Sequence, residues 1–352
     1  MKGNNFKFGA LVEKEKAVVK ELPLPEMKND DVLIKQLVCN ICTTDYQQWQ
    51  GKREHQGYPM AGGHEAAGII IDKGPNVSEE IKIGDQVSII YDYCGECTEC
   101  KKGKITNCKN IKQFGKNYSD TYYGIFGFAN YFIRNSKSIV KVSNDVSASE
   151  AGFVEPLSSV IRGIKKLNLE KDDYVVIIGA GTMGLLNALV ARTYSAKVVI
   201  SERNPKKVKK AKELGFQVVD VNLHNPVEVI KESSVEGADV VIVAVGTTSA
   251  NQQALDMIKP SEGKILFFAA GYPSPELNAD SNFIHYKESE FIGTYGSSLN
   301  DFKDAADFIS SKKIDVSPLI EETFYLENIQ TAFKKASTRG SYRVSVKLHE
   351  EE

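Results

Sequence analysis

The chain has 352 residues, which predicts about two domains of roughly 150 residues each. Apolar residues make up 42% and charged residues 26%, as in a globular protein with sizeable hydrophobic cores. The net charge of -2 excludes the strongly basic surface typical of nucleic-acid binding, and no apolar run reaches the roughly 20 residues of a membrane span. The first residues, MKGNNFKFGALVEKEK, lack the apolar segment of a secretory signal. We therefore expect a cytoplasmic protein, in which clustered cysteines are more often metal ligands than disulfides.

Residues 1–157 are predicted to be rich in β-strands. Short apolar runs separated by turn residues lie at 31–38, 66–72, 86–90, 130–134 and 138–142. After about residue 160, predicted strands alternate with helices, at 174–178, 197–201, 217–219, 239–243 and 264–269. This alternation indicates a parallel, doubly wound sheet. After residue 296 the pattern is mixed again and ends in a predicted strand at 342–348. The predicted fold class is α/β plus β: a β-rich domain formed by residues 1–157 and 296–352, with an α/β domain, residues 158–295, inserted.

A glycine-rich loop in the inserted region predicts a dinucleotide site. The sequence GAGTMG, residues 179–184, follows the strand-like run VVII and opens an apolar helix predicted at 183–192. Such glycines permit a tight turn, a close approach of the backbone to a pyrophosphate, and close helix packing. A glycine turn without a ligand is the alternative. The predicted cofactor-binding residues are Gly179, Gly181, Thr182, Met183, Gly184, Glu202 and Arg203.

Glu202 bears on the choice between NAD and NADP. It ends the next predicted strand, where an acidic residue accepts the ribose hydroxyls of NAD. Arg203, Lys206 and Lys207 follow it and leave NADP possible. A carboxylate at Glu202 would repel the 2′-phosphate of NADP, so the sequence favours NAD.

Four of the six cysteines, Cys94, Cys97, Cys100 and Cys108, have the spacing C-x2-C-x2-C-x7-C. Four thiolates around one Zn²⁺ form a closed tetrahedral site with no position for substrate, so we interpret the cluster as a structural zinc site. An iron–sulfur cluster is the alternative. Bacterial ferredoxin spacing has three residues before its last cysteine and a proline after it, whereas this chain has seven residues and then Lys109.

A second, dispersed set of residues is suited to a catalytic metal. Cys42 lies in CNICTTD, His64 and Glu65 lie in GGHEAAG, and Glu155 lies in FVEPLSS. Three protein ligands with an open fourth position are what a catalytic zinc requires. Taken singly, Cys42 is more typical of a small core residue and His64 of a turn histidine.

Together these motifs resemble those of the zinc-dependent medium-chain dehydrogenase/reductases of the alcohol dehydrogenase superfamily. The motifs are C-x-T-D at 42–45, GHE at 63–65, the four-cysteine loop, EPLSS at 155–159, and GAGTMG with Glu202. Glu in place of a third cysteine ligand is similar to the branch of sorbitol-type polyol, butanediol and threonine dehydrogenases. The resemblance implies a GroES-like catalytic domain, a Rossmann domain and an active site in the cleft between them.

The resemblance also implies roles and a reaction. Cys42 and His64 would bind a catalytic zinc, Glu65 and Glu155 would be a ligand and a near ligand, Thr44 would relay the substrate proton, and Asp45 would orient the ligands. It further implies two zinc ions per subunit, a homo-oligomer (a dimer or homotetramer), and reversible oxidation of a secondary alcohol to a ketone with hydride transfer to NAD. The expected substrate is a polyol, a sugar alcohol or a phosphorylated polyol, and L-threonine- or butanediol-type activity is the alternative. A non-catalytic module that binds zinc and NAD is a more remote alternative.

Some residues differ from the family pattern, and others leave the identity of the substrate undecided. Gln47 replaces a histidine that relays protons in many relatives, and Asn40 replaces a usual glycine, for which we expect a left-handed turn. The aromatic-rich segment 114–131 either borders the cleft or packs in the core. Lys116 and Arg134 leave a phosphate-binding role possible.

Overall fold

The computed structural model describes residues 5–53, 57–111, 115–234 and 236–350. Its contacts divide the chain into two compact units. The terminal unit contains Met1–Ser158 and Gly296–Glu352, and the central unit contains Ser159–Tyr295. Within the described residues, no helix is long and apolar enough to cross a lipid bilayer.

The terminal unit contains a two-stranded hairpin and a larger sheet. The hairpin pairs β1 (Asn5–Glu13) with β2 (Lys16–Pro23). The sheet contains β3 (Asp31–Ile41), β4 (Glu65–Lys73), β5 (Gln86–Ile89), β6 (Tyr131–Asn135), β7 (Ile139–Lys141), β14 (Ile320–Tyr325) and β15 (Arg343–Lys347). Its order is β14-β15-β3-β4-β5-β7, and β6 also pairs with β3. The β14–β15 pair is parallel and the other pairs are antiparallel.

Strand β3 is central to this sheet. Its sequence DVLIKQLVCNI is buried at nine of eleven positions, as expected for a strand covered on both faces. It pairs with β4, β6 and β15, so it joins the early part of the chain to the return segment. The helices that begin in this unit are α1 (Thr43–Trp49), α2 (Thr98–Lys101), α3 (Ala148–Ala151), α4 (Val154–Leu167), α10 (Leu299–Ser310) and α11 (Ile329–Ala336).

The described part of the aromatic-rich segment contributes to an aromatic core. Phe126 stacks on Phe132 with ring centroids 4.9 Å apart, and its ring lies edge-on to Phe8 at 5.0 Å. Phe8 also contacts Tyr122 at 5.0 Å. Packing in the core is therefore the correct interpretation for these rings. Phe114, the first residue of the segment, lies outside the described residues.

Arg134 is buried in the same aromatic region. Its guanidinium lies 4.8 Å from the Phe132 ring centroid and 4.9 Å from that of Tyr118. It donates a hydrogen bond to the carbonyl of Ile125, and its relative exposure is 1%. Burial lowers its pKa to about 10 despite the charge of Asp92. Arg134 is thus a buried core residue.

Asn40 does not form the expected left-handed turn, because it lies inside β3. The Asn40 side chain instead makes two hydrogen bonds within the terminal unit. Asn40 Nδ2 donates to the Ser149 carbonyl at 3.0 Å, and Asn40 Oδ1 accepts a hydrogen bond from Ser345 Oγ. An amide replaces glycine here because buried polar partners on α3 and β15 satisfy it.

The central unit is a six-stranded parallel sheet. Its strands are β8 (Tyr174–Ile178), β9 (Lys197–Glu202), β10 (Gln217–Asp220), β11 (Val240–Val243), β12 (Lys264–Phe267) and β13 (Glu290–Gly293). The order β10-β9-β8-β11-β12-β13 is the doubly wound order 3-2-1-4-5-6. The helices between the strands are α5 (Thr182–Arg192), α6 (Pro205–Glu213), α7 (Pro226–Ser233), α8 (Thr248–Met257) and α9 (Ser281–Lys287).

The glycine loop joins β8 to α5. Gly179 has φ +101°, a left-handed conformation that favours glycine. A Cβ at Gly184 would lie 1.9 Å from the carbonyl oxygen of Gly179, so only glycine lets α5 begin this close to the strand. The tight turn therefore requires both glycines.

We predict that Gly184→Ala destabilises the full-length protein by about 1–3 kcal/mol, because the turn must open to admit the methyl group. Gly293→Ala is the matched control, since a Cβ at Gly293 would meet no atom within 4 Å. Urea unfolding of the two variants and the parent chain measures the difference. Equal unfolding midpoints for the two variants would contradict this view of the loop.

Candidate functional site

Cys42, His64 and Glu65 converge in the terminal unit. One ligand atom from each lies within 4.8 Å of the others. Cys42 follows β3 and is the N-cap of α1, while Glu65 opens β4 opposite Asn40. The antiparallel pairing of β3 and β4 therefore brings these distant positions together. Gly63 has φ +83°, and a Cβ there would lie 2.8 Å from Cys39 Sγ, so the turn before His64 requires glycine.

Asp45 holds the two motif segments in place. Its Oδ2 accepts from the Cys42 amide at 2.9 Å, and its Oδ1 accepts from the Gly63 amide at 3.1 Å. The same Oδ1 lies 3.6 Å from His64 Nδ1. Burial lowers the pKa of His64, but Asp45 and Cys42 oppose this effect and the pKa is raised well above its usual range. The contacts of Asp45 thus orient Cys42 and His64, as neighbouring residues commonly orient the ligands of a metal site.

Glu65 has a buried partner that the sequence did not reveal. Arg343 Nε donates to Glu65 Oε2 at 2.8 Å, and Arg343 Nη2 donates to Oε1 at 2.7 Å. The same Nη2 lies 3.6 Å from Cys42 Sγ. Burial raises the pKa of Glu65; Arg343 opposes this, nearby Glu155 adds to it, and the pKa remains raised. The only sequence signal was an arginine within the predicted strand 342–348.

Glu155 lies near this cluster without joining its closest group. It is in the first turn of α4 and is buried. Its charge raises the pKa values of both Glu65 and Arg343, and its Oε1 accepts a hydrogen bond from the Tyr91 hydroxyl. The structure therefore places Glu155 as a neighbour of the Cys42–His64–Glu65 set.

Thr44 also has a partner that sequence reasoning missed. Arg53 Nη1 donates to Thr44 Oγ1 at 2.9 Å. This contact puts a cation next to the hydroxyl that the family resemblance assigns to proton relay. Spacing did not single out Arg53, because it lies after α1 and outside the C-x-T-D motif.

The donors at this site fit a catalytic zinc. They supply one sulfur from the partly buried Cys42, one nitrogen and one carboxylate from the buried His64 and Glu65, with a second buried carboxylate nearby. Zinc binds such mixed sets of three protein ligands and keeps a further position open for water or substrate.

The four-cysteine cluster is a separate site, on a loop. Sulfurs of Cys94, Cys97, Cys100 and Cys108 lie within 4.8 Å of one another, and all four are free thiols. Hydrogen bonds from the backbone amides of Lys109 and Cys100 lower the pKa of Cys97 to about 6, whereas burial raises the pKa of Cys100 to about 12. Thiolates are the form that binds metal, so this set of four sulfurs fits a closed zinc site.

In the central unit, Glu202 lies beside the glycine loop. Its Oε2 accepts from the Ala180 amide at 2.7 Å, and its Oε1 accepts from the Arg203 and Asn204 amides at 2.8 Å each. Gly179, Glu202 and Arg203 line one cleft. Thr182 and Met183 open α5. The Lys207 ammonium lies 3.5 Å from where a Cβ of Gly181 would be, so a cation also faces the loop.

Comparisons with known proteins decide the family. The family model described as alcohol dehydrogenase GroES-like domain matches residues 28–144, and the family model described as zinc-binding dehydrogenase matches residues 182–311. An uncharacterized zinc-type alcohol dehydrogenase-like protein of Haemophilus influenzae is 30% identical over 318 residues, covering 89% of each chain. The chain belongs to the zinc-dependent medium-chain dehydrogenases.

Other relatives of this dehydrogenase narrow the branch. A sorbitol dehydrogenase of Halalkalibacterium halodurans is 28% identical, covering 93% of this chain and 94% of the relative. An L-threonine 3-dehydrogenase of Bacillus subtilis is 30% identical, covering 93% and 95% respectively. A Sinorhizobium meliloti protein assigned as a zinc-binding dehydrogenase, crystallised with NADP, is 24% identical with a TM-score of 0.87, covering 98% of this chain and 99% of that one. The predicted family, its polyol and threonine branch, and the predicted GroES-like and Rossmann fold class are confirmed.

We predict that Arg343→Met destabilises the metal-depleted dehydrogenase by about 3–5 kcal/mol near neutral pH, because it leaves the Glu65 carboxylate buried and unpaired. The difference in unfolding free energy between the variant and the parent should become smaller as the pH falls, because protonation of Glu65 removes the buried charge. Urea unfolding measures both effects, and Glu65→Gln added to Arg343→Met should recover part of the loss.

Lys335→Met is the control for removing a cation. Lys335 pairs with Glu322 at 2.8 Å on the surface, where such pairs contribute about 1 kcal/mol or less. If Arg343→Met lowers the free energy of unfolding by no more than Lys335→Met does, the buried Arg343–Glu65 pair does not stabilise the protein as proposed.

Proposed function

We propose that this protein is a zinc-dependent oxidoreductase that interconverts a secondary alcohol and a ketone, with hydride transfer to or from NAD. The observation that carries the proposal is the Cys42, His64 and Glu65 set, whose ligand atoms lie within 4.8 Å of one another. Glu155 is buried near it, and Thr44 lies two positions after Cys42. Cys42, His64 and one of the two glutamates would hold the zinc. A bound zinc supplies Lewis-acid chemistry that lowers the pKa of a hydroxyl group by several units.

The chain's own residues would handle the proton. Thr44 Oγ1 already accepts one hydrogen bond, from Arg53. A hydroxyl has a second lone pair and one proton of its own, so Thr44 can accept from the substrate alcohol and donate outward. Arg53 has no acceptor and stays protonated, so it orients Thr44 and does not take the proton. With glutamine at position 47, the proton would pass from Thr44 to water.

We assign the cofactor to the central unit. Three backbone amides donate to the Glu202 carboxylate and hold it in place. A fixed negative charge at this position suits the free ribose hydroxyls of NAD and opposes the 2′-phosphate of NADP. Arg203 and Lys207 are the residues that would favour NADP.

The remaining assignments follow the same proposal. Residues 1–157 with 296–352 would form the catalytic domain, and 158–295 the NAD-binding domain. Cys94, Cys97, Cys100 and Cys108 would hold a second, structural zinc. The free thiols fit a reducing cytoplasm, and we propose a homo-oligomer, either a dimer or a tetramer.

We propose a polyol, a sugar alcohol or a phosphorylated polyol as substrate. The sorbitol dehydrogenase relative supports a polyol. Arg53, next to Thr44, is the charged residue that would suit an anionic substrate group. The L-threonine 3-dehydrogenase relative keeps L-threonine as the second candidate, with butanediol as a further one.

The function is tested with a panel of sorbitol, arabitol phosphate, L-threonine and 2,3-butanediol, supplied with NAD and followed by NADH formation. We expect turnover of at least one alcohol and two zinc equivalents per subunit. Cys42→Ala should remove one zinc equivalent and the activity while the protein stays folded.

Cys39→Ala is the matched control, because Cys39 is a buried thiol three positions earlier that belongs to neither cluster. It should keep both zinc equivalents and the activity. Full zinc binding with no turnover of any alcohol would favour a non-catalytic binding module. Normal turnover by Cys42→Ala would refute the site.

A separate experiment tests the cofactor. We predict that Glu202→Gln shifts the ratio of kcat/KM values roughly tenfold toward NADP, because it removes a repulsion worth on the order of 1–4 kcal/mol. Glu213→Ala, which removes an exposed carboxylate at the end of α6, should leave the ratio unchanged. A parent enzyme that prefers NADP would contradict the assignment.

A further inference from the structure

The two carboxylates near Cys42 and His64 are held in different ways. Arg343 binds both oxygens of Glu65. Glu155 receives one side-chain hydrogen bond from the described residues, from the Tyr91 hydroxyl to Oε1. Its other oxygen, Oε2, therefore stays available to a metal ion, whereas a metal must compete with Arg343 for Glu65.

Tyr91 is well placed to fix the Glu155 carboxylate. It lies two residues after the end of β5, and its ring packs edge-on against Phe302 of α10 with centroids 5.5 Å apart. This packing, together with the strand before it, fixes the position of the phenol oxygen. A fixed donor at Oε1 sets the direction in which Oε2 points.

We propose that Tyr91 is a positioning residue of the metal centre, which orients Glu155 so that its free oxygen serves as the third protein ligand. This inference rests on the proposed function, because it assumes a metal held by Cys42 and His64. Tyr91 acts through Glu155 and touches neither metal nor substrate. Partners of this kind contribute about 10–100-fold to metal affinity.

The test measures metal binding directly. Zinc-depleted protein is titrated with Co²⁺, whose visible absorption bands report the ligands around it. The Cys42→Ala variant supplies the spectrum of the four-cysteine site alone, which is subtracted. We expect Tyr91→Phe to weaken Co²⁺ binding at the Cys42 centre by about tenfold and to change the ligand-field bands. A purely structural role would not alter those bands.

Two further variants make the test specific. Tyr93→Phe removes a tyrosine hydroxyl from the same loop, where the ring lies 5.5 Å from Lys137 Nζ, and should bind Co²⁺ like the parent. Glu155→Gln should weaken binding, and adding Tyr91→Phe to it should cause no further loss, because Tyr91 acts only through that carboxylate.

Three results would overturn the proposal: unchanged Co²⁺ binding in Tyr91→Phe, unchanged binding in Glu155→Gln, or additive losses in the double variant. Failure of the proposed function has a different signature. In that case the parent protein would bind no Co²⁺ at the Cys42 centre, and its spectrum would match that of Cys42→Ala.

Discussion

The buried ion pair between Arg343 and Glu65 is the contact on which the arrangement of the site depends. A buried carboxylate without a partner is costly, so the chain must bring a cation to it. That cation comes from β15, 278 positions later, and β15 pairs with β3, the strand that leads to Cys42. The pair therefore joins the return segment to the two strands that carry the candidate metal ligands.

The charges around this pair suit a divalent cation. Asp45, Glu65 and Glu155 are all buried, and two cationic groups face them. Arg343 binds Glu65, and His64, whose pKa is raised, lies 3.6 Å from Asp45. Burial and Glu155 raise the pKa of Glu65 even with Arg343 in contact. A zinc ion held by Cys42 and His64 would add positive charge beside these carboxylates. Three buried carboxylates facing two cations leave an excess of acid, which is an argument for a metal that is independent of the ligand spacing.

Much of the fold was predictable because its strands are apolar and bounded by turn residues. Predicted strands 174–178 and 86–90 correspond to β8 and β5, and predicted helix 183–192 to α5. The sequence patterns did not predict β13, which has only four residues, or β14, whose residues IEETFY are partly exposed. The ligand residues were found through local motifs. Arg343, Arg53 and Tyr91 were not, because their roles depend on contacts that spacing does not encode.

The same reasoning separates the two cysteine sites. Four sulfurs close together on a half-exposed loop would complete a zinc coordination sphere without ligands from the rest of the chain, so their spacing alone was informative. Cys42 lies in a set that becomes a site only when β3, β4 and β15 pair. In the proposed zinc centre the third protein ligand would be a carboxylate, and the two candidates, Glu65 and Glu155, differ in which residues hold them. Arg343 engages Glu65 with a full charge and two hydrogen bonds, while Tyr91 engages Glu155 with one neutral donor. A metal ion would therefore displace fewer hydrogen bonds at Glu155 than at Glu65, and under this proposal Tyr91 would influence the metal centre at Cys42.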